Sequence, residues 1–231
     1  MNEYIIKTES RANKAIADLG ICSRREADRL IEAGKVVVNG KQITLGRVLV
    51  PGDRLIVKSQ AKNLRYVLYN KPRGEVTGEN SKEVLGDLHP VGRLDKESDG
   101  LLIYTNDHRV VDALLNPKNK IEKEYRVNIR EKATPRVERI LLDGITTQED
   151  TYAPVKKVFI HDDGMTIDIT LTEGKKHEIR RMMNALNLTI NSLTRTRITF
   201  LSNKFLRPGQ AKELTDLELE KLFKILKLSR D

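Results

Sequence analysis

The chain has one cysteine in 231 residues, Cys22, and no tryptophan. A lone thiol excludes an internal disulfide and a cysteine-rich zinc site, and it suits the reducing cytoplasm. The four histidines, His89, His108, His161 and His177, fall in no HxxxH or HExxH pair, so no metal is expected. No apolar run approaches the roughly 18 residues of a transmembrane helix. The opening MNEYIIKTES lacks the basic stretch and apolar core of a secretory signal. Aromatic residues are scarce, at 4%. That argues against a face of many stacked rings, so any base stacking must come from one or two placed tyrosines.

Acidic residues are the minority charge. Lys and Arg number 42 against 33 Asp and Glu, a net +9. Such a balance suits a polyanionic partner, either nucleic acid or an anionic surface, although a lysine-rich soluble surface has the same composition. Apolar residues, at 39%, suffice for a packed core.

The polar stretch 58–63 separates two apolar-patterned regions and reads as a linker over 59–63, between domains at 8–58 and 64–231. In the first region Ala12, Ala15, Ile16 and Leu19 recur at helical spacing, with Gly20 as the stop. Ser23 with Glu26 predicts a capping box for a helix whose apolar stripe is Ala27, Leu30 and Ile31. Val36–Val38 and Leu55–Val57 are strands, punctuated by turns at Asn39-Gly40 and Pro51-Gly52-Asp53. The order of Arg11, Ser23-Arg24-Arg25-Glu26-Ala27, Gly34-Lys35 through Gly40, and Pro51-Gly52-Asp53 resembles the S4-like RNA-binding module. The resemblance implies that Arg24, Arg25 and Lys35 bind phosphates of folded RNA. On the residues alone, a solvated helix face partly neutralised by Glu26, Asp28 and Glu32 is the simpler reading.

The second region alternates strand and helix patterns, giving an overall α+β class with a mixed, mostly antiparallel sheet flanked by helices. Strands are expected at 66–69, 101–104, 125–129, 153–160, 165–171 and twice within 188–200. Helices are expected after Tyr104, over 134–142, around 176–186 and over 214–227 behind Thr215. Asp95, in Gly92-Arg93-Leu94-Asp95, precedes one of these strands. Taken bare, an aspartate capping a turn is the stronger reading of that position.

Five ordered blocks change the weighing. They are Lys71-Pro72-Arg73-Gly74, Gly92 through Asp107, Lys123-Glu124-Tyr125, Glu173 through Met182, and a tail of Leu193 through Ile198 with Leu206-Arg207-Pro208-Gly209. Together they resemble the RNA pseudouridine synthases, and the S4-like module ahead of them resembles the small-ribosomal-subunit (RsuA-like) subfamily. The resemblance implies that Asp95 is the catalytic carboxylate, that Arg180 stands opposite it, and that Tyr125 stacks on a flipped-out base. A guanidinium within about 4–6 Å favours the ionised carboxylate and fixes its direction. Arg93, Arg181 and Lys71 are the further candidates for RNA contact, and His177 is read as structural. Glu178 departs from the commoner form of its block, which has glutamine there. On spacing alone Arg180 is a surface arginine and Tyr125 a core tyrosine.

The implied reaction breaks the C1′–N1 bond of uridine and rejoins the sugar to C5. Nothing is oxidised and no group leaves, so neither cofactor nor metal is expected. The expected protein is a cytoplasmic monomer without a membrane partner. Its expected substrate is RNA, ribosomal RNA before tRNA. The alternatives are a non-catalytic S4-type RNA-binding or ribosome-assembly protein, and an S4-bearing methyltransferase. The latter is disfavoured because no GxGxG-like stretch is present.

Overall fold

A computed structural model describes residues 3–58, 63–79, 85, 86, 88–147 and 151–229. The chain divides into two units, Met1–Arg65 with Asn106–Asp112, and Tyr66–Thr105 with Ala113–Asp231. Apart from Asn63, the linker expected over 59–63 lies outside the described residues.

The first unit holds strands β1 (Glu3–Ile5), β2 (Ser10–Arg11), β3 (Val36–Val38), β4 (Lys41–Gln42), β5 (Val48–Leu49) and β6 (Arg54–Val57), with helices α1 (Ala12–Asp18) and α2 (Arg24–Glu32). One sheet runs β1-β6-β3-β4. Strand β1 starts ahead of the boundary expected at residue 8, because Glu3–Ile5 pairs antiparallel with Arg54–Ile56. Ser23 caps α2 by accepting the Glu26 amide at 3.1 Å. Asn39 and Gly40 both take positive φ, 50° and 79°, as a tight hairpin turn requires. The face bearing Ala27, Leu30 and Ile31 is buried with Ile16, Leu49 and Leu55. Arg24, Arg25, Arg29 and Lys35 are left exposed.

The second unit is built on strands β7 (Tyr66–Lys71), β8 (His89–Pro90), β9 (Asp99–Thr105), β10 (Lys123–Ile129), β11 (Ile145–Thr146), β12 (Thr151–Tyr152), β13 (Lys157–Ile160), β14 (Thr166–Leu171), β15 (Ile190–Ile198), β16 (Leu201–Ser202) and β17 (Ala211–Glu213). Its sheet runs β13-β14-β10-β15-β9-β7-β17, with β8 added to β9 and β16 to β15. Among the described residues only β9 and β15 pair in parallel, Asp99 with Thr194 and Gly100 with Arg195. Helix α3 (His108–Leu115) follows β9. Helices α4 (Pro135–Asp143), α5 (Glu178–Ala185) and α6 (Asp216–Leu226) complete the unit. Thr215 caps α6 in a full capping box with Glu218.

Three expectations need correction. Of the strand expected over 153–160 only β13, Lys157–Ile160, forms; the residues before it include Pro154, which has no N–H to give a ladder. The two strands expected within 188–200 are one strand of nine residues, closed by Thr199 in a left-handed turn at φ 54°. The helix expected from 176 starts at Glu178, because His177 is itself left-handed, φ 56°.

Along β10 the alternation sets the function of each face. Tyr125, Val127 and Ile129 point into the core, whereas Glu124, Arg126 and Asn128 face the other way. Tyr125 therefore lies where a core-facing ring reaches the cavity described next.

Candidate active site

A cavity of about 590 Å³ opens in the second unit, a volume typical of small-molecule and nucleotide sites. Asp95, Tyr125, Arg180 and Arg93 all line it. Asp95 opens a tight turn in which the Ser98 amide donates to the Asp95 carbonyl at 3.0 Å. The turn is pinned from behind. The Thr77 hydroxyl takes the Leu94 amide at 3.1 Å and donates to the Leu94 carbonyl at 2.8 Å. The Gly74 amide donates to the Lys96 carbonyl at 2.8 Å.

The carboxylate is held from two sides. Arg180 Nε lies 3.5 Å from Asp95 Oδ2, and His177 Nε2 lies 3.3 Å from Oδ1. Arg180 is itself aimed by the same turn, donating to the Ser98 hydroxyl at 2.9 Å and to the Glu97 carbonyl at 3.1 Å. The Asp95 side chain keeps 38% of its exposure, so the group is oriented and still reachable from the cavity.

Beyond Asp95, the Arg195 guanidinium stands 6.0 Å from the Tyr125 ring centre, within cation–π range. Arg195 is buried and anchored by Nε to the Leu101 carbonyl at 2.7 Å, while its Nη2 is sealed with no hydrogen-bond acceptor. Lys123 also lines the cavity. Burial, reinforced by the Arg195 charge, lowers the pKa of its ammonium from the ordinary lysine range.

The other expected site residues fall in different places. Arg93 is exposed at the cavity and, among the described residues, has no ion-pair partner. Arg181 lies off the cavity lining, as its place one residue after Arg180 on a helix implies, with its Nη1 3.5 Å from the Tyr152 hydroxyl. Lys71 is a correction. It is fully buried and donates to the carbonyls of Pro72 and Glu75 at 3.0 and 2.7 Å, so its charge ties a backbone turn and does not reach RNA. Burial lowers its pKa, against the nearby Glu75 charge that raises it. Arg24, Arg25 and Lys35 belong to the first unit, exposed on and just after α2.

Sequence reasoning missed three residues. His177 was set aside as structural, yet its left-handed backbone turns the ring to Asp95. Arg195 falls inside a family block without being singled out there, and Thr77 carries no motif signal. The pairing of Arg195 with Gly100 is the one feature that could have placed the former, and it is visible only in the folded sheet.

Relatives and a family model place the fold in the class of RNA-modifying isomerases. The RNA pseudouridylate synthase family model matches residues 65–185, more than half of the chain, and the S4 domain model matches 10–55. The dual-specificity RNA pseudouridine synthase RluF of Escherichia coli (strain K12) is 36% identical over 235 residues, covering 95% of this chain and 80% of that protein. Ribosomal large subunit pseudouridine synthase B of Bacillus subtilis (strain 168) is 34% identical over 231 residues, covering 92% and 95%. A crystal structure of a pseudouridylate synthase superposes with a TM-score of 0.69 at 27% identity, covering 92% of this chain and 99% of that one. The chain belongs to the RNA pseudouridine synthase family and carries an N-terminal S4 domain.

Proposed function

We propose that this protein isomerises uridine in ribosomal RNA to pseudouridine, with Asp95 as the essential carboxylate. The observation that carries the reading is the Asp95 carboxylate, gripped by Arg180 and His177 and open to a cavity that Tyr125 walls. A target uridine inside folded RNA has to leave its stack to reach that carboxylate, at a cost of a few kcal/mol. Stacking on Tyr125 returns about 1–3 kcal/mol. The reaction breaks C1′–N1, turns the base and forms C1′–C5. C5 loses its proton and N1 gains one, so atoms balance without an external reactant. Asp95 supplies the carboxylate for this exchange, and the Tyr125 hydroxyl relays the proton that leaves C5, giving up its own as it takes it, so that the proton passes on through solvent and N1 gains one. Arg180 keeps the carboxylate aimed, and the exposed Arg93 holds a phosphate beside the flipped nucleotide.

The exposed Arg24, Arg25 and Lys35 of the S4 unit clamp folded RNA by its phosphates. The name of the Bacillus subtilis relative favours the large subunit as the source of the target. The protein works as a monomer in the cytoplasm. Among the described residues no helix is long and apolar enough to cross a membrane. The test is pseudouridine mapping of total RNA from cells with and without the gene. One or a few sites in large-subunit RNA disappear on deletion. A complete, unchanged map refutes the catalytic reading and leaves the non-catalytic RNA-binding alternative.

A further inference from the structure

We propose that Glu178 is a positioning residue for the isomerisation: its carboxyl shares one proton with Glu173, and that proton closes the 173–178 loop so that His177 and Arg180 stand over Asp95. What the loop positions rests on the synthase reading above. The shared proton rests on geometry.

Glu178 opens α5 and is only 4% exposed, an extreme burial for a carboxyl group. Its Oε2 accepts the Lys175 amide at 2.8 Å. Its Oε1 is sealed from solvent and receives no hydrogen bond, and the same holds for Glu173 Oε1. The Glu173 carboxyl is a neighbour of Glu178, near enough to repel its charge and to share a hydrogen bond with it when a proton is present. Ionised carboxylates only accept, so two neighbouring orphaned acceptors become partners only when one carries a proton. Burial first, then the Glu173 charge, pushes the Glu178 pKa up to about 7, against the lowering effects of the Lys175 amide and ammonium. The other cation facing Glu178 is Lys123 on β10, which has Arg195 behind it. Neither gives a hydrogen bond to the orphaned oxygens.

The consequence runs through the short segment between the two glutamates. His177 lies immediately before Glu178, and Arg180 lies two residues after it. Losing the shared proton places two neighbouring like charges at the root of the segment that grips Asp95. A glutamine at 178 would donate its amide N–H to Glu173 at every pH and would need no proton. The wild-type chemical step therefore fades on the alkaline side, and the Glu178→Gln enzyme does not fade.

Two measurements on the full-length protein decide this. The first is a carbon-13 NMR titration of glutamate side-chain carboxyls, with Glu178 assigned by the signal lost in Glu178→Gln. The expected midpoint is near 7. A midpoint in the ordinary carboxyl range, about 4.3, overturns the shared proton. The second is the single-turnover rate on an rRNA fragment from about pH 6 to about pH 8.5. With a midpoint near 7, the wild-type rate falls by up to about 30-fold. Glu178→Gln and Glu173→Gln stay within about threefold over the same range. An alkaline fall in both glutamine variants as steep as in wild type overturns the positioning role. Absence of turnover at every pH overturns the synthase reading instead, and the titration still judges the proton.

Discussion

Gly100 is the position at which one methyl group should undo the site from a distance. It pairs in parallel with Arg195, the arginine beside Tyr125. Its φ is +111°, a conformation that costs a non-glycine residue about 1–3 kcal/mol. A Cβ built there would lie 2.5 Å from the Arg195 amide nitrogen and closer still to its carbonyl oxygen. That contact is with backbone, which cannot swing aside, so overpacking adds about 1–3 kcal/mol. Gly100→Ala should thus destabilise the second unit by about 2–6 kcal/mol. Gly209 is the control, since its φ is +81° but nothing lies within 4 Å of its Cβ position. Gly209→Ala should cost only the conformational part, about 1–3 kcal/mol. Urea unfolding followed by tyrosine fluorescence reads the right unit, because Tyr66, Tyr69, Tyr104, Tyr125 and Tyr152 lie there and only Tyr4 in the first. The midpoint should fall further for Gly100→Ala than for Gly209→Ala, with similar slopes. Equal midpoints would mean that β9 and β15 are free to separate, and the close approach that frames the cavity would be wrong.

Three other outcomes are expected. Arg180→Ala should lower kcat by about 100-fold while RNA affinity changes less than about threefold, because the guanidinium aims Asp95 and a small misplacement of the reacting group is costly; a loss of affinity at full kcat would contradict this. Arg24→Glu with Arg25→Glu should flatten the dependence of log Kd on log salt by about 1.5 units, the loss of two phosphate contacts, and leave the single-turnover rate at saturating RNA intact. An unchanged slope would remove the S4 unit from the RNA interface. Enzyme dialysed against a chelator should keep its rate once the RNA is correctly folded, since the bond exchange uses side chains alone; a metal requirement of the protein itself would overturn that.

Local chemistry made much of the fold legible. The Ser23 and Thr215 caps, the Asn39-Gly40 turn and the Ala27–Leu30–Ile31 stripe depend on neighbours within four residues, and each is found in the folded chain. The site was legible to a different degree. Asp95 and Arg180 lie far apart in sequence, and only the ordered family blocks suggested their proximity; the folded chain brings them to 3.5 Å. His177 escaped because its direction depends on a left-handed backbone that residue type does not announce. Lys71 was misplaced because a lysine at a strand end looks like surface, whereas here two carbonyls receive its ammonium inside the protein. Glu178 was noted as a departure, but only its burial beside Glu173 gives that departure a physical meaning.

The central claim is that one carboxylate carries the bond exchange, and Asp95→Asn tests it with almost no change of shape. The measurement is the single-turnover rate of pseudouridine formation at saturating rRNA fragment, wild type against Asp95→Asn, with RNA affinity measured alongside. The account predicts an undetectable rate for the variant, at least about 10⁴-fold below wild type, with affinity within about threefold. A variant that still turns over within tenfold of wild type would show that the carboxylate gripped by Arg180 and His177 is not the group that performs the reaction.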